Sequence, residues 1–236
     1  MSGKYAIVSF FNGLGDTIIL LPLLRYLNDI YKGVLIVSHS NSKLLLVEFD
    51  NVVLTDNFQS MPEIDSQIFN KFQVCSNQLT YYDFNITYNP IKDWIIDKFK
   101  PDNILDYKRI QGSDRRDLYE SCNMFHKNFI QADIWPLPLS INRKPFIPPI
   151  YYGRLDALLD SSKKIITIHS DTDITKEWTV TAWKTLISCL KTNFSDYEII
   201  LLGFPDSRLK DTNLILAPDF YFCLEAVEKS DLFIGI

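Results

Sequence analysis

Short apolar runs rich in β-branched residues alternate with longer stretches of helical period along most of this chain. That alternation restricts the fold more than any other feature. Tyr5 to Phe11 reads as a buried strand. The tight turn Gly13-Leu14-Gly15-Asp16 follows it, and Thr17 to Tyr31 reads as a helix for which Asp16 is a suitable N-cap. Pro22 leaves two readings of that helix, a kink at the proline or a start just before it. Val34 to Ser38 and Val52 to Thr55 read as strands on either side of a short helix over Ser42 to Phe49. Phe84 to Tyr88 and the pair Ile104-Leu105 give further strands around a helix from Ile91 to Phe99, whereas residues 58–80 carry no clear period. Strands joined by helices predict a parallel sheet covered on both faces.

The pattern breaks once. Between Ile134 and Ile150 stand Pro136, Pro138, Pro145, Pro148 and Pro149, five of the chain's 11 prolines. Proline removes backbone donors and favours extended chain, so this stretch reads as a linker. The alternation then resumes: a strand over Lys164 to His169, a helix over Thr181 to Leu190 and a strand over Glu198 to Leu202. Leu214 to Ala217, a helix over Phe222 to Lys229 and a last strand over Leu232 to Ile236 complete it. The expected organisation is α/β throughout: a first domain over 1–133, the linker over 134–150 and a second domain over 151–236. No helix follows the last strand, and a parallel sheet needs both faces covered, so the second domain reads as incomplete.

Composition narrows the function classes. With 47% hydrophobic and 22% charged residues in 236, the chain resembles ordinary globular domains, not a disordered or disulfide-dense one. Lys plus Arg number 24 against 29 for Asp plus Glu, a net charge of -5. This is a poor surface for nucleic acid, whose phosphates require a positive one. Cys75, Cys122, Cys189 and Cys223 have no CxxC spacing, and the N-terminus lacks the form of a secretory signal. Both point to reduced, mostly buried thiols and a cytoplasmic protein. Asn85-Ile-Thr87 and Asn193-Phe-Ser195 match the glycosylation sequon, which without a signal reads as chance.

Three loops at strand ends carry candidate chemistry. In the first, Asn12, Gly13 and Gly15 allow backbone N–H groups to approach a ligand. Asp16 there either caps a helix or presents a carboxylate where open α/β sheets bind ligands. The third glycine of a dinucleotide fingerprint is absent, since Ile18 stands at its position, and no P-loop lysine follows. In the second, Ser170 to Trp178, the hydroxyls of Ser170, Thr172 and Thr175 and the charge of Lys176 suit a diphosphate leaving group; a plain capped loop with a solvated lysine is the other reading. Trp178 and Trp183 read as packing residues. In the third, Gly203-Phe204-Pro205-Asp206 is either a turn or a pocket wall with Asp206 on sugar hydroxyls. The basic residues Lys108, Arg109, Arg115, Arg116, Lys127, Arg143 and Lys144 interleave with acids, as on a solvated face; an anion-binding acceptor surface is the other reading. His39, His126 and His169 lack metal-ligand spacing, so no metal is expected.

Two motifs together resemble a known family. GLGDTIILLPLLRYL is similar to the opening of the heptosyltransferase-like glycosyltransferases, glycosyltransferase family 9, and IHSDTDITKEWTVTAWKTLISCL is similar to the opening of that family's second domain. EIILLG and DLFIGI follow in the family's strand order. The resemblance implies a GT-B fold, with two Rossmann-like domains facing across a cleft, the first for the acceptor and the second for a nucleotide-diphosphate-sugar. It implies inverting, metal-independent transfer to a hydroxyl on a glycan, a lipid-linked or a small-molecule acceptor, without a cofactor. A lipid-linked acceptor would bring the protein to a membrane periphery. By position Asp16 matches the catalytic base and Lys176 the lysine at the donor phosphates, with Thr172 and Thr175 around it. Two departures stand against the match. His169 and Ser170 replace a proline-glycine pair, and the family's D-S-G-x-x-H segment would begin after Ile236. The rival expectation is a non-catalytic nucleotide-sugar or partner-binding module, a degenerate relative.

Overall fold

The computed structural model describes residues 4–11, 13–56, 70, 72, 78–85, 89, 91–144, 146–160, 162–170, 178–202, 209, 214–217 and 219–235. The chain forms two compact units, Met1–Phe146 and Ile147–Ile236. Among the described residues no helix is long and apolar enough to cross a membrane.

In the first unit β1 (Tyr5–Phe10), β2 (Gly33–His39), β3 (Val52–Thr55), β4 (Leu79–Asp83) and β5 (Asn103–Asp106) form a parallel sheet in the order β3-β2-β1-β4-β5. Side chains alternate between its faces. Tyr5 and Ile7, with Leu35, Val37, Val53, Leu79 and Tyr81, build one core under Ile91, Ile95 and Phe99 of α2 (Ile91–Phe99). Those helix positions recur every four residues and so share one face. The opposite face carries α1 (Leu14–Ile30): Tyr31 at its end donates to or accepts from Tyr82 at 2.8 Å and crosses that ring edge-on. Three short helices follow β5: α3 (Tyr107–Gln111), α4 (Arg116–Ser121) and α5 (Met124–Gln131).

Helix α1 settles the Pro22 question: it starts at Leu14 and runs unbroken through the proline. A helix-interior proline costs about 3 kcal/mol. Leu20, Leu21, Leu23, Leu24 and Leu27 are all at most 2% exposed, and each buried leucine contributes about 1.5–3 kcal/mol, so burial outweighs the lost bond. Two expected elements differ. The strand expected at Phe84 to Tyr88 lies instead over Leu79–Asp83, because its pairing with β1 runs from Tyr5↔Leu79 to Ser9↔Asp83 and stops there. The helix expected over Ser42 to Phe49 is a 3-10 turn over Ser40–Ser42 and further tight turns, with Lys43 and Leu45 N–H groups donating to the carbonyls of Ser40 and Ser42. The Ser42 side chain is buried there and shares hydrogen bonds with the hydroxyls of Ser38 and Thr17.

In the second unit β6 (Lys164–His169), β7 (Tyr197–Leu202), β8 (Ile215–Leu216) and β9 (Leu232–Gly235) form a parallel sheet in the order β8-β7-β6-β9. On one face Ile166, Ile168, Ile199 and Leu201 pack with Trp183, Ile187 and Leu190 of α6 (Val180–Asn193). On the other, Ile200, Leu202 and Leu155 pack with Phe222 and Ala226 of α7 (Phe220–Lys229).

The middle of the proline-rich stretch and the chain just beyond it are each anchored to a buried or half-buried charge. Arg25 donates to the carbonyls of Asn142 and Lys144 while pairing with Glu48 at 2.6 Å. In the second unit the fully buried Glu225 of α7 accepts from the N–H groups of Gly153 and Leu155 at 2.8 and 3.1 Å and from Lys229 at 2.9 Å. The thiols are less buried than expected: Cys189 is exposed and Cys122 and Cys223 are half-buried, while Cys75 lies outside the described residues.

Candidate functional site

Strand order alone marks one place in each sheet. Ligands of open parallel sheets bind in the crevice at the carboxyl ends where the order reverses direction. In the first unit the chain runs from β1 outward to β2 and β3, then returns past β1 to β4, so the reversal lies between β1 and β4. The Gly13–Asp16 turn leaves β1 at that point. In the second unit the reversal lies between β6 and β9, where His169 and Gly235 stand opposite each other and Ser170 follows.

Asp16 is the third residue of α1, so it does not cap the helix. Gly13 occupies the cap position and makes no side-chain bond there. The correction matters for chemistry, because the carboxylate is not tied to the helix it begins. Asp16 is exposed and makes no hydrogen bond or ion pair with the described residues. Its place in the first turn is favourable for a negative charge, since the unpaired N–H groups there point toward it. With Ile19, Leu20, Phe84, Met124 and Asn128 it lines a shallow pocket. A Cβ added to Gly13 or Gly15 would meet nothing within 4 Å, so neither glycine is demanded by packing inside the unit. Thr17 fixes the turn from within, its hydroxyl donating to the Gly13 carbonyl at 3.1 Å.

Behind this turn lies a buried polar cluster that sequence reasoning missed. Ser9, Tyr81 and Asp83 share the face that α2 covers. The Ser9 and Tyr81 hydroxyls are 2.7 Å apart, and the Asn89 amide donates to Ser9, Tyr81 and Asp83 at 3.0, 3.2 and 3.0 Å. Lys92 lies 3.7 Å from Asp83 and bonds Asp106. Burial, then the Asp83 charge, pushes the Tyr81 hydroxyl well above the ordinary phenol range. Burial alone would raise the Asp106 carboxyl, but the Lys92 ammonium and the Arg109 N–H hold it below its ordinary value. Their only sequence signal was polar residues following a strand, and that strand was placed five residues too late.

The second site is described in part. Ser170 is buried at the end of β6. Thr179 caps α6, accepting from Ala182 N–H at 3.2 Å. Trp183 is a core residue whose indole N–H has no partner among the described residues, but Trp178 is 48% exposed and leans on it at 5.0 Å instead of packing inside. Asn12, Thr172, Thr175, Lys176, Gly203 and Asp206 lie outside the described residues.

The basic residues behave as a solvated face. Arg109 and Arg115 both pair with Asp133, and Arg116 pairs with Glu120. Among the described residues no group of three or more His, Cys, Asp or Glu is placed to hold a metal ion.

No protein-family model and no curated protein matches this chain. Solved structures do. A family 9 glycosyl transferase from Veillonella parvula matches with a TM-score of 0.71 at 12% identity, over 98% of this chain and 74% of that one. The fold is that of the heptosyltransferases. The ADP-heptose lipopolysaccharide heptosyltransferase II of E. coli matches with a TM-score of 0.63 at 10% identity, over 98% of this chain and 78% of its own. The E. coli heptosyltransferase WaaC with ADP gives 0.59 at 12% identity, over 98% and 81%. At such identities the heptosyltransferase likeness speaks for the fold, and the chemistry is argued from the residues.

Proposed function

We propose that this protein is an inverting, metal-independent glycosyltransferase that moves a sugar from a nucleotide-diphosphate-sugar to a hydroxyl acceptor. The observation that carries the reading is the exposed carboxylate of Asp16, unpaired among the described residues, at the strand-order reversal of a fold shared with heptosyltransferases. A sugar hydroxyl is a weak nucleophile, and a carboxylate within hydrogen-bond reach takes its proton as the bond to the anomeric carbon forms. The acceptor oxygen attacks the face opposite the departing diphosphate, whose growing charge is met by Lys176 and the backbone N–H groups of the Ser170–Trp178 loop. The reading thus gives the base to the first unit and the donor phosphates to the second. Its title to heptosyltransferase-like chemistry is supported by the structural neighbours that act on ADP-heptose or carry ADP.

The test is a panel of nucleotide-sugars and free nucleotides scored by thermal stabilisation, since a ligand bound only by the folded state raises the melting temperature. The stabilising donor is then assayed for transfer with and without a chelator. Stabilisation by one donor, chelator-resistant transfer and loss of transfer in Asp16→Asn are expected. Binding without transfer in any condition would favour a non-catalytic module, and undiminished transfer by Asp16→Asn would remove the base.

A further inference from the structure

We infer that Asn85 is a positioning residue for Asp16: its side-chain amide stands in for a strand at the exit of β1 and sets where the Gly13–Asp16 turn begins. The inference rests on the reading of Asp16 as the base.

In a parallel ladder, one residue donates its N–H to a neighbour's carbonyl and accepts the N–H two residues further along. Strand β4 does this for β1 up to the pair Ser9↔Asp83, and Phe84 N–H still donates to the Ser9 carbonyl at 3.0 Å. The β4 backbone then leaves the sheet, and the next ladder donor of β1, the Phe11 N–H, needs an acceptor. Asn85 Oδ1 accepts it at 2.8 Å. The same amide's Nδ2 donates to the Ser9 carbonyl at 3.3 Å and to Asp83 Oδ1 at 2.7 Å. One side chain therefore accepts the N–H that a further strand residue would accept, and adds a second donor to the Ser9 carbonyl. Beta-1 stays held after β4 has diverged, and the crevice at the strand-order reversal opens without an unpaired buried donor.

The clamp is itself held. Asp83 Oδ1 accepts from Asn85 N–H at 3.2 Å and from Asn89 Nδ2 at 3.0 Å, and Asn89 Oδ1 accepts the Ile91 N–H at 3.0 Å at the start of α2. Asp83, Asn85 and Asn89 are 4%, 9% and 5% exposed. A flipped Asn85 amide would set its oxygen against the Asp83 carboxylate and its NH2 against the Phe11 N–H, so the network fixes its orientation. The buried, committed Nδ2 also removes Asn85 as a glycan acceptor.

The experiment reads the clamp and the catalysis separately, in the full chain. Amide hydrogen exchange at Phe11, measured without substrate, reports the clamp. Steady-state transfer reports positioning. In Asn85→Ala, Phe11 exchange is expected to rise about tenfold or more with Ile7 and Val8 unchanged, and kcat to fall about tenfold with donor KM within about twofold. Asn85→Asp keeps the volume and carries the same readouts if Asn85→Ala does not fold. It retains the acceptor for Phe11 but sets a second carboxylate against Asp83. The charged groups around it are Asp83 on β4, Lys92 on α2 and Asp106 on β5, with the Tyr81 hydroxyl beside them. Once protonated, the acid donates to Asp83 and accepts from Phe11 as the amide did. Its kcat relative to wild type should therefore recover as pH falls, while that of Asn85→Ala stays flat. Unchanged Phe11 exchange in both variants overturns the clamp. Faster exchange with intact kcat overturns the positioning role. A wild type that transfers no sugar overturns the reading of Asp16 and this role with it, a failure told apart because Phe11 exchange needs no reaction.

Discussion

Asp16 and Asp106 stand at the ends of two strands of one sheet in opposite surroundings. Asp16 is exposed and touches no partner among the described residues; Asp106 bonds Lys92 and caps α3 through the Arg109 N–H at 2.9 Å. Replacing Asp16 by Asn should leave stability within about 0.5 kcal/mol while reducing transfer by about 10²–10⁴-fold, as urea midpoints and initial rates would report. Asp106→Asn should do the reverse. Asn caps a helix as well as Asp, so the change isolates the charge. The folded state lowers this carboxyl below its ordinary 3.8, so its contribution is present above that value and is lost as pH falls through the lower folded one. The variant's urea midpoint should lie below wild type at neutral pH, with the gap closing as pH falls below the carboxyl's ordinary value. Legibility at this scale was uneven. Asp16 was found because a glycine-flanked acid after an apolar strand is a local pattern. Asp83, Asn85 and Asn89 were not, because each acts on residues of β1 more than seventy positions away.

Elements follow the same division. Strands β1, β2, β6 and β7 lie where their apolar runs predict, since half or more of the residues in each are buried. Strand β4 was misplaced because residues 79–88 offer two successive β-prone runs, and only pairing with β1 selects the first. Pro22 of α1 is undecided by local rules, which cannot weigh the five buried leucines against the proline. In the second unit, two polar contacts hold helix ends in place. Thr179→Ala removes the cap of α6 and should cost about 1 kcal/mol in chemical denaturation. Glu225→Ala should cost about 3 kcal/mol, because it strands the N–H groups of Gly153 and Leu155 and removes the buried partner of Lys229. Both losses should appear in the unfolding of the second unit, read by the exchange of β6 and β7 amides.

At the scale of the whole molecule, each unit carries its own parallel sheet, its own core and its own reversal of strand order. One reversal lies where β1 leads into Gly13 and α1, the other where β6 ends at Ser170. Length and composition alone implied a globular chain, the strand–helix alternation implied α/β structure, and the break in pattern at the prolines suggested two parts. A donor nucleotide-sugar is expected to protect amides at the end of β6 and leave the interior of β1 unchanged, measured by hydrogen exchange with and without ligand.

Alone, the amino-acid order determined the α/β class and most strands and helices. All of these are written in hydrophobic period and turn chemistry over a few neighbouring residues. Only the tertiary structure decided which strands adjoin, that Asp16 lies inside the first turn of its helix instead of capping it, and that Asn85 accepts at the edge of β1. Hydrogen bonds between residues 72 to 80 positions apart leave no local signature. They exist only once strand order has brought those residues to one end of one sheet.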